Sequence, residues 1–118
     1  MIRTTLAIFI ITVGFSSCYY DVESELYPGE FCNVPEEVSY SESIQPIISN
    51  SCATTGCHIQ GGVAPGILDN YDQVKDVVDA GSFGQRVLVD KDMPPSAPLG
   101  SCDLLIIEKW IAQGAPNN

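Results

Sequence analysis

Apolar residues recur at helical spacing in three segments of the chain. In the first segment, Ile44, Ile47 and Ile48 occupy positions i, i+3 and i+4, which predicts a short helix with one buried face. Ser41 or Ser43 is the expected N-cap of this helix, because a hydroxyl oxygen can accept a hydrogen bond from an N–H group of the first turn.

A second helix is predicted to begin after Asn70 and to end at Gly81. Its apolar edge is formed by Val74, Val77 and Val78. An amide side chain at the N-cap and a glycine at the C-terminal end are typical of helix boundaries. The next segment, residues 83–89, is ambiguous between a helical turn and a strand.

The third helix has the clearest pattern. Its predicted buried face consists of Leu104, Ile107, Trp110 and Ile111. Ser101 is its expected N-cap, and Gly114 and Pro116 are expected to end it. Together the three patterns predict three short helices.

The longest apolar stretch, residues 6–15, lies at the N-terminus behind Arg3 and is shorter than the roughly 20 residues that span a bilayer. It predicts a secretion signal. The residues that close it, Phe15-Ser16-Ser17-Cys18, resemble the lipobox of bacterial lipoproteins. This resemblance implies that Cys18 is acylated and becomes the first residue of the mature protein. The alternative is an ordinary signal with an incidental cysteine.

These features divide the chain into three predicted parts. Residues 1–17 form a lipoprotein signal peptide, residues 18–37 an acidic tether or arm, and residues 38–118 the folded domain. The arm has little apolar periodicity, which is typical of an extended segment. A domain of this size holds one core, so a multidomain enzyme is excluded.

The charge of the chain excludes nucleic-acid binding. Its 118 residues include 15 Asp and Glu against 5 Lys and Arg, a net charge of −10. No Lys or Arg occurs between Arg3 and Lys75, so the basic patch that nucleic-acid binding requires is missing. An acidic surface favours a partner protein with a basic docking face.

Candidate chemistry concentrates in residues 52–58, Cys-Ala-Thr-Thr-Gly-Cys-His. Covalent haem attachment needs two thiols and a histidine next to the second one. The usual signature has two residues between the thiols, whereas Cys52 and Cys57 are separated by four, and Gly56 can accommodate the longer loop. A small disulfide loop and a partial zinc or copper site are alternatives. His58 is the only histidine of the chain, which disfavours zinc.

Met93 is the second candidate haem ligand. It lies in the sequence Met93-Pro94-Pro95, shortly before the last helix. A thioether in a loop stiffened by proline is a rigid ligand, and iron held by His and Met has both axial positions filled and a raised potential. The alternative is a core methionine.

With these residues in place, the chain resembles small bacterial monohaem cytochromes c over residues 38–116. The resemblance rests on Ser43-Ile44-Gln45-Pro46-Ile47-Ile48, the motif 52–58, Ala64-Pro65-Gly66, Tyr71, Met93-Pro94-Pro95, and residues 107–116. It implies an all-α, cytochrome c-like fold. In such a fold three to four short helices surround a covalently bound haem, and the N- and C-terminal helices cross.

The resemblance also implies a cofactor, haem c, and a role for each matching residue. Cys52 and Cys57 would form the thioether bonds, and His58 and Met93 would ligate the iron. The carbonyl of Pro65 would accept a hydrogen bond from the second ring nitrogen of His58, fixing the orientation of the ring. An ordinary loop proline is the alternative.

Three further side chains have expected roles. Arg86 is a candidate partner for a haem propionate, with a solvated surface arginine as the alternative.

Once Cys18 is assigned to lipid and two cysteines to haem, Cys32 and Cys102 remain. Outside the cytoplasm we expect them to form a disulfide, and two free thiols are the alternative.

The expected function is electron transfer without catalysis, by an exported lipoprotein of the cell envelope that is held on a membrane by its lipid. Its expected partners are a redox protein that donates the electron and one that accepts it. One alternative is a haem enzyme or sensor in which Met93 leaves the iron open. Another is a haem-free lipoprotein module that is stapled by two disulfides, Cys52–Cys57 and Cys32–Cys102.

Overall fold

The fold of residues 31–118, the part of the chain that the computed structural model describes, consists of helices without a strand. In chain order the elements are a first π turn (Tyr40–Ile44), α1 (Gln45–Ser51), α2 (Tyr71–Asp79), α3 (Ser82–Gly84), a second π turn (Gln85–Val89) and α4 (Ser101–Ala112). The all-α prediction is therefore confirmed for these residues. The ambiguous segment 83–89 is helical, and none of the described helices is long and apolar enough to cross a membrane. The predicted signal peptide, Cys18 and most of the acidic arm lie outside the described residues.

The core collects the apolar faces that the helical spacing predicts. Its fully buried side chains are Val38, Ile44, Ile48, Val74, Ile107 and Trp110. Trp110 has no exposed surface, and its indole Nε1–H donates to the carbonyl oxygen of Pro116 at 3.0 Å. Because a buried indole needs a hydrogen-bond acceptor, this bond also fixes the chain where it leaves α4.

The predicted boundaries of α2 and the predicted end of α4 are correct. The Asn70 side chain accepts a hydrogen bond from the backbone N–H of Gln73 at 3.1 Å, which caps α2 as predicted. Gly81 follows α2 in the left-handed conformation, with φ of +77°, where glycine is favoured. The C-terminal end of α4 is also followed by a left-handed glycine, Gly114 (φ +87°).

The N-caps predicted for the first and last helices are wrong. Ser39, not Ser41 or Ser43, caps the first π turn, and its Oγ accepts from the backbone N–H of Glu42. The helix α4 begins at Ser101 with Gly100 at the N-cap position. Both starts are fixed by contacts or backbone angles that helical spacing does not encode.

The two ends of the described chain are joined near the first π turn. The Oγ atoms of Ser39 and Ser41 both donate to the carbonyl oxygen of Asn118, at 2.8 and 2.9 Å. The backbone N–H of Tyr40 donates to the Asn118 side chain. The last helix also packs against the first π turn, so the chain closes on itself beside the core.

The segment before Val38 is attached to the last helix. A disulfide joins Cys32 to Cys102, with the Cα atoms 5.3 Å apart. Gln113 adds two hydrogen bonds: its Nε2 donates to the Glu36 carbonyl, and its Oε1 accepts from the Val38 N–H. The predicted Cys32–Cys102 disulfide is confirmed. The hydrogen bonds of Gln113 are a second connection between this segment and α4, which the sequence does not indicate.

Candidate functional site

One cavity of about 390 Å³ brings the predicted site residues together. Among its lining residues are Cys52, Cys57, His58, Pro65, Arg86 and Met93. Protein interiors are packed with few voids larger than a water molecule. An opening of this size falls within the range of ligand pockets, about 300–1,000 Å³, so we interpret it as a binding site.

The wall of the cavity is largely apolar. Besides the predicted site residues it includes Val63, Ala64, Leu68, Val77, Phe83 and Val87. Leu68, Phe83 and Val87 are also buried members of the core, which places the cavity directly against the core. Val63 lies at its rim and is 93% exposed as a residue, so apolar surface extends from the wall to the solvent.

The loop that holds the two thiols and the imidazole is fixed by its own backbone. The His58 N–H donates to the Cys52 carbonyl at 3.2 Å, and the His58 carbonyl accepts from the Leu68 N–H at 2.8 Å. The Cys57 N–H donates to the Thr54 carbonyl at 2.9 Å. These bonds fold residues 52–58 into a turn after α1, so both thiols and the imidazole reach the same cavity although none lies in a regular helix.

The imidazole of His58 is oriented by a backbone carbonyl. Its Nδ1 lies 2.8 Å from the carbonyl oxygen of Gly66. Because a carbonyl oxygen can only accept, Nδ1 is the donor in this contact, and in a neutral ring Nε2 then holds the lone pair. The prediction for Pro65 is corrected by one residue: Pro65 lines the cavity, and Gly66 supplies the acceptor. Gly66 has φ of +85°, a left-handed conformation that favours glycine.

Cys52 and Cys57 are both free thiols. Cys52 is 7% exposed, and burial, followed by the neighbouring Cys57, raises the pKa of the Cys52 thiol to about 11. At neutral pH Cys52 is therefore protonated, and a protonated thiol is a poor metal ligand and a slow partner in disulfide exchange. The Cys52–Cys57 disulfide of the haem-free alternative is not formed.

The two thiols and the imidazole do not form a metal-ion site by themselves. Within residues 31–118, no three side chains of His, Cys, Asp or Glu converge in a way that could hold an ion. Met93, from the loop that follows the second π turn, lines the same cavity. The sulfur and nitrogen atoms of these side chains therefore lie around the cavity and do not converge on one ion position.

Arg86 lines the cavity and forms an ion pair. Its Nε lies 2.7 Å from Oδ1 of Asp92, and both side chains are about half exposed. The sequence does not indicate Asp92 as a site residue, because six positions separate it from Arg86 and regular helical spacing does not pair them. The second π turn, which contains Arg86, brings the two side chains together.

Tyr71 lies outside the cavity wall. Its hydroxyl donates to the carbonyl oxygen of Ala115 at 2.9 Å, and its ring packs edge-on against Tyr40 with 5.0 Å between centroids. The ring of Tyr40 also packs against the ring of Trp110, with 5.7 Å between centroids. These three aromatic side chains stabilise the closure between α2, the first π turn and α4.

Comparison with protein-family models, curated proteins and solved structures found no match.

Gly62 supports the loop of the site through a close approach to Cys57 that the sequence pattern does not indicate. A Cβ atom at this position would lie well inside contact distance of the Cys57 carbonyl oxygen. We expect Gly62→Ala to force the loop away from Cys57 and to lower the free energy of unfolding by about 1–3 kcal/mol. Urea denaturation of the purified protein measures this loss.

Gly84→Ala is the matched control for that substitution. Gly84 has helical backbone angles, and a Cβ there would meet nothing within 4 Å. Because alanine restricts the unfolded chain, this variant should be more stable than the wild type by about 0.5–1 kcal/mol. If Gly62→Ala matched Gly84→Ala in stability, the close approach at Gly62 would be wrong.

Proposed function

We propose that the protein is an electron carrier with one covalently attached haem c in the cavity and a cytochrome c-like fold. A single observation carries this proposal. Cys52, Cys57 and His58 line the same cavity as Met93, which lies 35 positions further along the chain than His58. Two thiols, an imidazole and a thioether around one apolar volume are the donor set of a c-type haem.

The cavity fits such a group in its chemistry. Its wall is apolar, its two thiols are free, and the imidazole is oriented with Nε2 as the lone-pair nitrogen. Each thiol would add to a vinyl group, the sulfur bonding to one carbon and the hydrogen going to the other, with no net redox change. A bound haem supplies reversible one-electron chemistry at iron.

The chain's own residues would perform four tasks. Cys52 and Cys57 would hold the haem covalently, and His58 and Met93 would both bind its iron, which would leave no ligand position for a substrate. The carbonyl of Gly66 keeps the imidazole ring in one orientation. The apolar wall excludes water, which favours the less charged ferrous state and raises the potential.

We further propose that the protein is exported and held on a membrane by lipid on Cys18. The Cys32–Cys102 disulfide supports export, because disulfides persist outside the reducing cytosol. The net charge of −10 supports donor and acceptor proteins that dock through basic surfaces. Association with such partners should slow as salt is added.

The test is an absorption spectrum of the exported protein, oxidised and reduced, made together with haem-attachment machinery. We expect a sharp low-spin reduced spectrum and a haem stain that survives denaturation. A colourless protein with the Cys32–Cys102 disulfide intact would overturn the proposal and leave a haem-free module.

Met93→Ala tests the second axial position. We expect a lower reduction potential and a ferric iron that binds added imidazole, because the thioether no longer fills the sixth position. Leu99→Ala is the control, because Leu99 packs against the core but does not line the cavity. A Met93→Ala protein with the potential and the imidazole affinity of the wild type would show that Met93 is not the ligand.

A further inference from the structure

Two contacts join the second π turn to the segment that contains Met93. The guanidinium Nε of Arg86 pairs with Oδ1 of Asp92 at 2.7 Å. The backbone N–H of Asp92 donates to the backbone carbonyl of Arg86 at 3.1 Å. We call this pair of contacts between Arg86 and Asp92 the Asp92 clamp.

The Asp92 clamp lies at the start of a loop with few other attachments. Pro94, Pro95 and Pro98 have no N–H group to donate. Within residues 31–118, residues 93–98 make no hydrogen bond of their own. The prolines stiffen this loop, but stiffness does not anchor it. Met93 and Leu99 pack against the core, and the hydrogen bonds nearest to Met93 are those of Asp92.

The clamp acts directly on Met93 because of chain geometry. Met93 follows Asp92 in the sequence, so consecutive Cα atoms are about 3.8 Å apart. Arg86 and Met93 both line the cavity, whereas Asp92 does not. Holding Asp92 against the second π turn thus holds the backbone of Met93 at the cavity edge.

We infer that Arg86 and Asp92 are positioning residues that keep the Met93 thioether in place as the sixth ligand. The inference rests on the proposed function. It gives Arg86 a role different from the expected contact with a haem propionate. A contact with a propionate involves Arg86 alone, whereas the Asp92 clamp involves both Arg86 and Asp92. Variants of Asp92 therefore separate these two explanations.

The size of the effect follows from the exposure of the pair. Arg86 and Asp92 are 49% and 48% exposed, and ion pairs with this exposure shift an equilibrium about 1.4- to 5-fold. We expect Arg86→Gln to increase local opening at residue 92 by about 2- to 5-fold. The measurement is hydrogen exchange of the residue 92 amide, which stays an aspartate amide in this variant.

The second measurement is the affinity of the ferric protein for added imidazole, which competes with Met93. Arg86→Gln and Asp92→Asn should each raise this affinity about 2- to 5-fold, and the double variant should raise it no further, because both remove the same interaction. In 1 M salt the wild type should approach the variants, since the pair is screened. A role confined to stability would lower the melting temperature and leave the imidazole affinity unchanged.

Lys75→Gln is the matched control. It removes the ion pair between Lys75 and Asp79 on α2, neither of which lines the cavity. It should leave exchange at residue 92 and the imidazole affinity at wild-type values. Variants of the clamp that behave like Lys75→Gln would overturn the inference.

The remaining outcomes are also decisive. If Arg86→Gln changed the imidazole affinity but Asp92→Asn did not, Arg86 would act on the haem directly and the inference would be wrong. A protein without haem would refute the proposed function and the assignment to ligation together. Exchange at residue 92 in that haem-free protein would still show whether the clamp itself exists.

Discussion

His58→Ala is expected to abolish the low-spin spectrum of the haem-loaded protein. His58 is the only histidine in the chain, so no second imidazole can replace it at the iron. The variant should retain covalently attached haem to the extent that Cys52 and Cys57 still react, but with a high-spin spectrum. Absorption spectroscopy of the denatured and native forms separates attachment from ligation.

The free energy of unfolding of His58→Ala, measured with and without haem, gives a second test of ligation by His58. In haem-free protein His58→Ala removes one exposed hydrogen bond, to Gly66, and should cost about 1 kcal/mol. In haem-loaded protein it also removes an axial ligand that binds only the folded state, so the loss should be clearly larger. An equal loss in both forms would contradict ligation by His58.

Thr54→Ala is the control for this experiment. Thr54 lies in the same loop and lines the same cavity but offers no ligand for iron. Its backbone carbonyl, which accepts from the Cys57 N–H, is unaffected by the substitution. The spectrum of Thr54→Ala should be that of the wild type. A high-spin Thr54→Ala protein would mean that any disturbance of the loop removes ligation.

The helices could be predicted from the sequence because their pattern is local. Ile44, Ile48 and Val74 are buried as their spacing predicts, and so are Ile107 and Trp110. The start of the first helix could not be predicted in this way. Ser39 and Ser41 both bind the carbonyl oxygen of Asn118, a contact between opposite ends of the described chain that no window of the sequence contains.

The same difference between local patterns and distant contacts applies to the candidate site. Cys52, Cys57 and His58 are neighbours in the sequence, and their spacing alone indicates a common site. The acceptor for His58 depends on a backbone turn, so the motif predicts Pro65 where the structure has Gly66. The sequence contains that glycine, but it does not show which carbonyl faces the ring.

Charge pairs in irregular segments are the hardest to predict. Arg86 and Asp92 lie six residues apart, a spacing that a regular α-helix does not bring together. They meet because the second π turn widens the helix before the chain turns back. The sequence pattern of residues 83–89 fits neither a strand nor an α-helix clearly. This ambiguity is the one feature of the sequence that indicates an irregular helix here.

Removal of the Cys32–Cys102 disulfide is expected to cause the largest loss of stability. The bond closes a loop between positions 70 residues apart, and by chain entropy a loop of this length stabilises the fold by about 4 kcal/mol. In a domain of this size that corresponds to a fall in melting temperature of about 15–30 °C. Thermal unfolding of the Cys32→Ser/Cys102→Ser double variant measures it.

Two comparisons show whether the cross-link itself is responsible. Reduced wild-type protein should unfold at the same temperature as the double variant, because both have lost the cross-link and retain the hydrogen bonds of Gln113 to Glu36 and Val38. In haem-free protein, alkylation before reduction should modify Cys57 and spare Cys32 and Cys102. A double variant as stable as the oxidised wild type would mean that Gln113 and the core hold this segment without the bond.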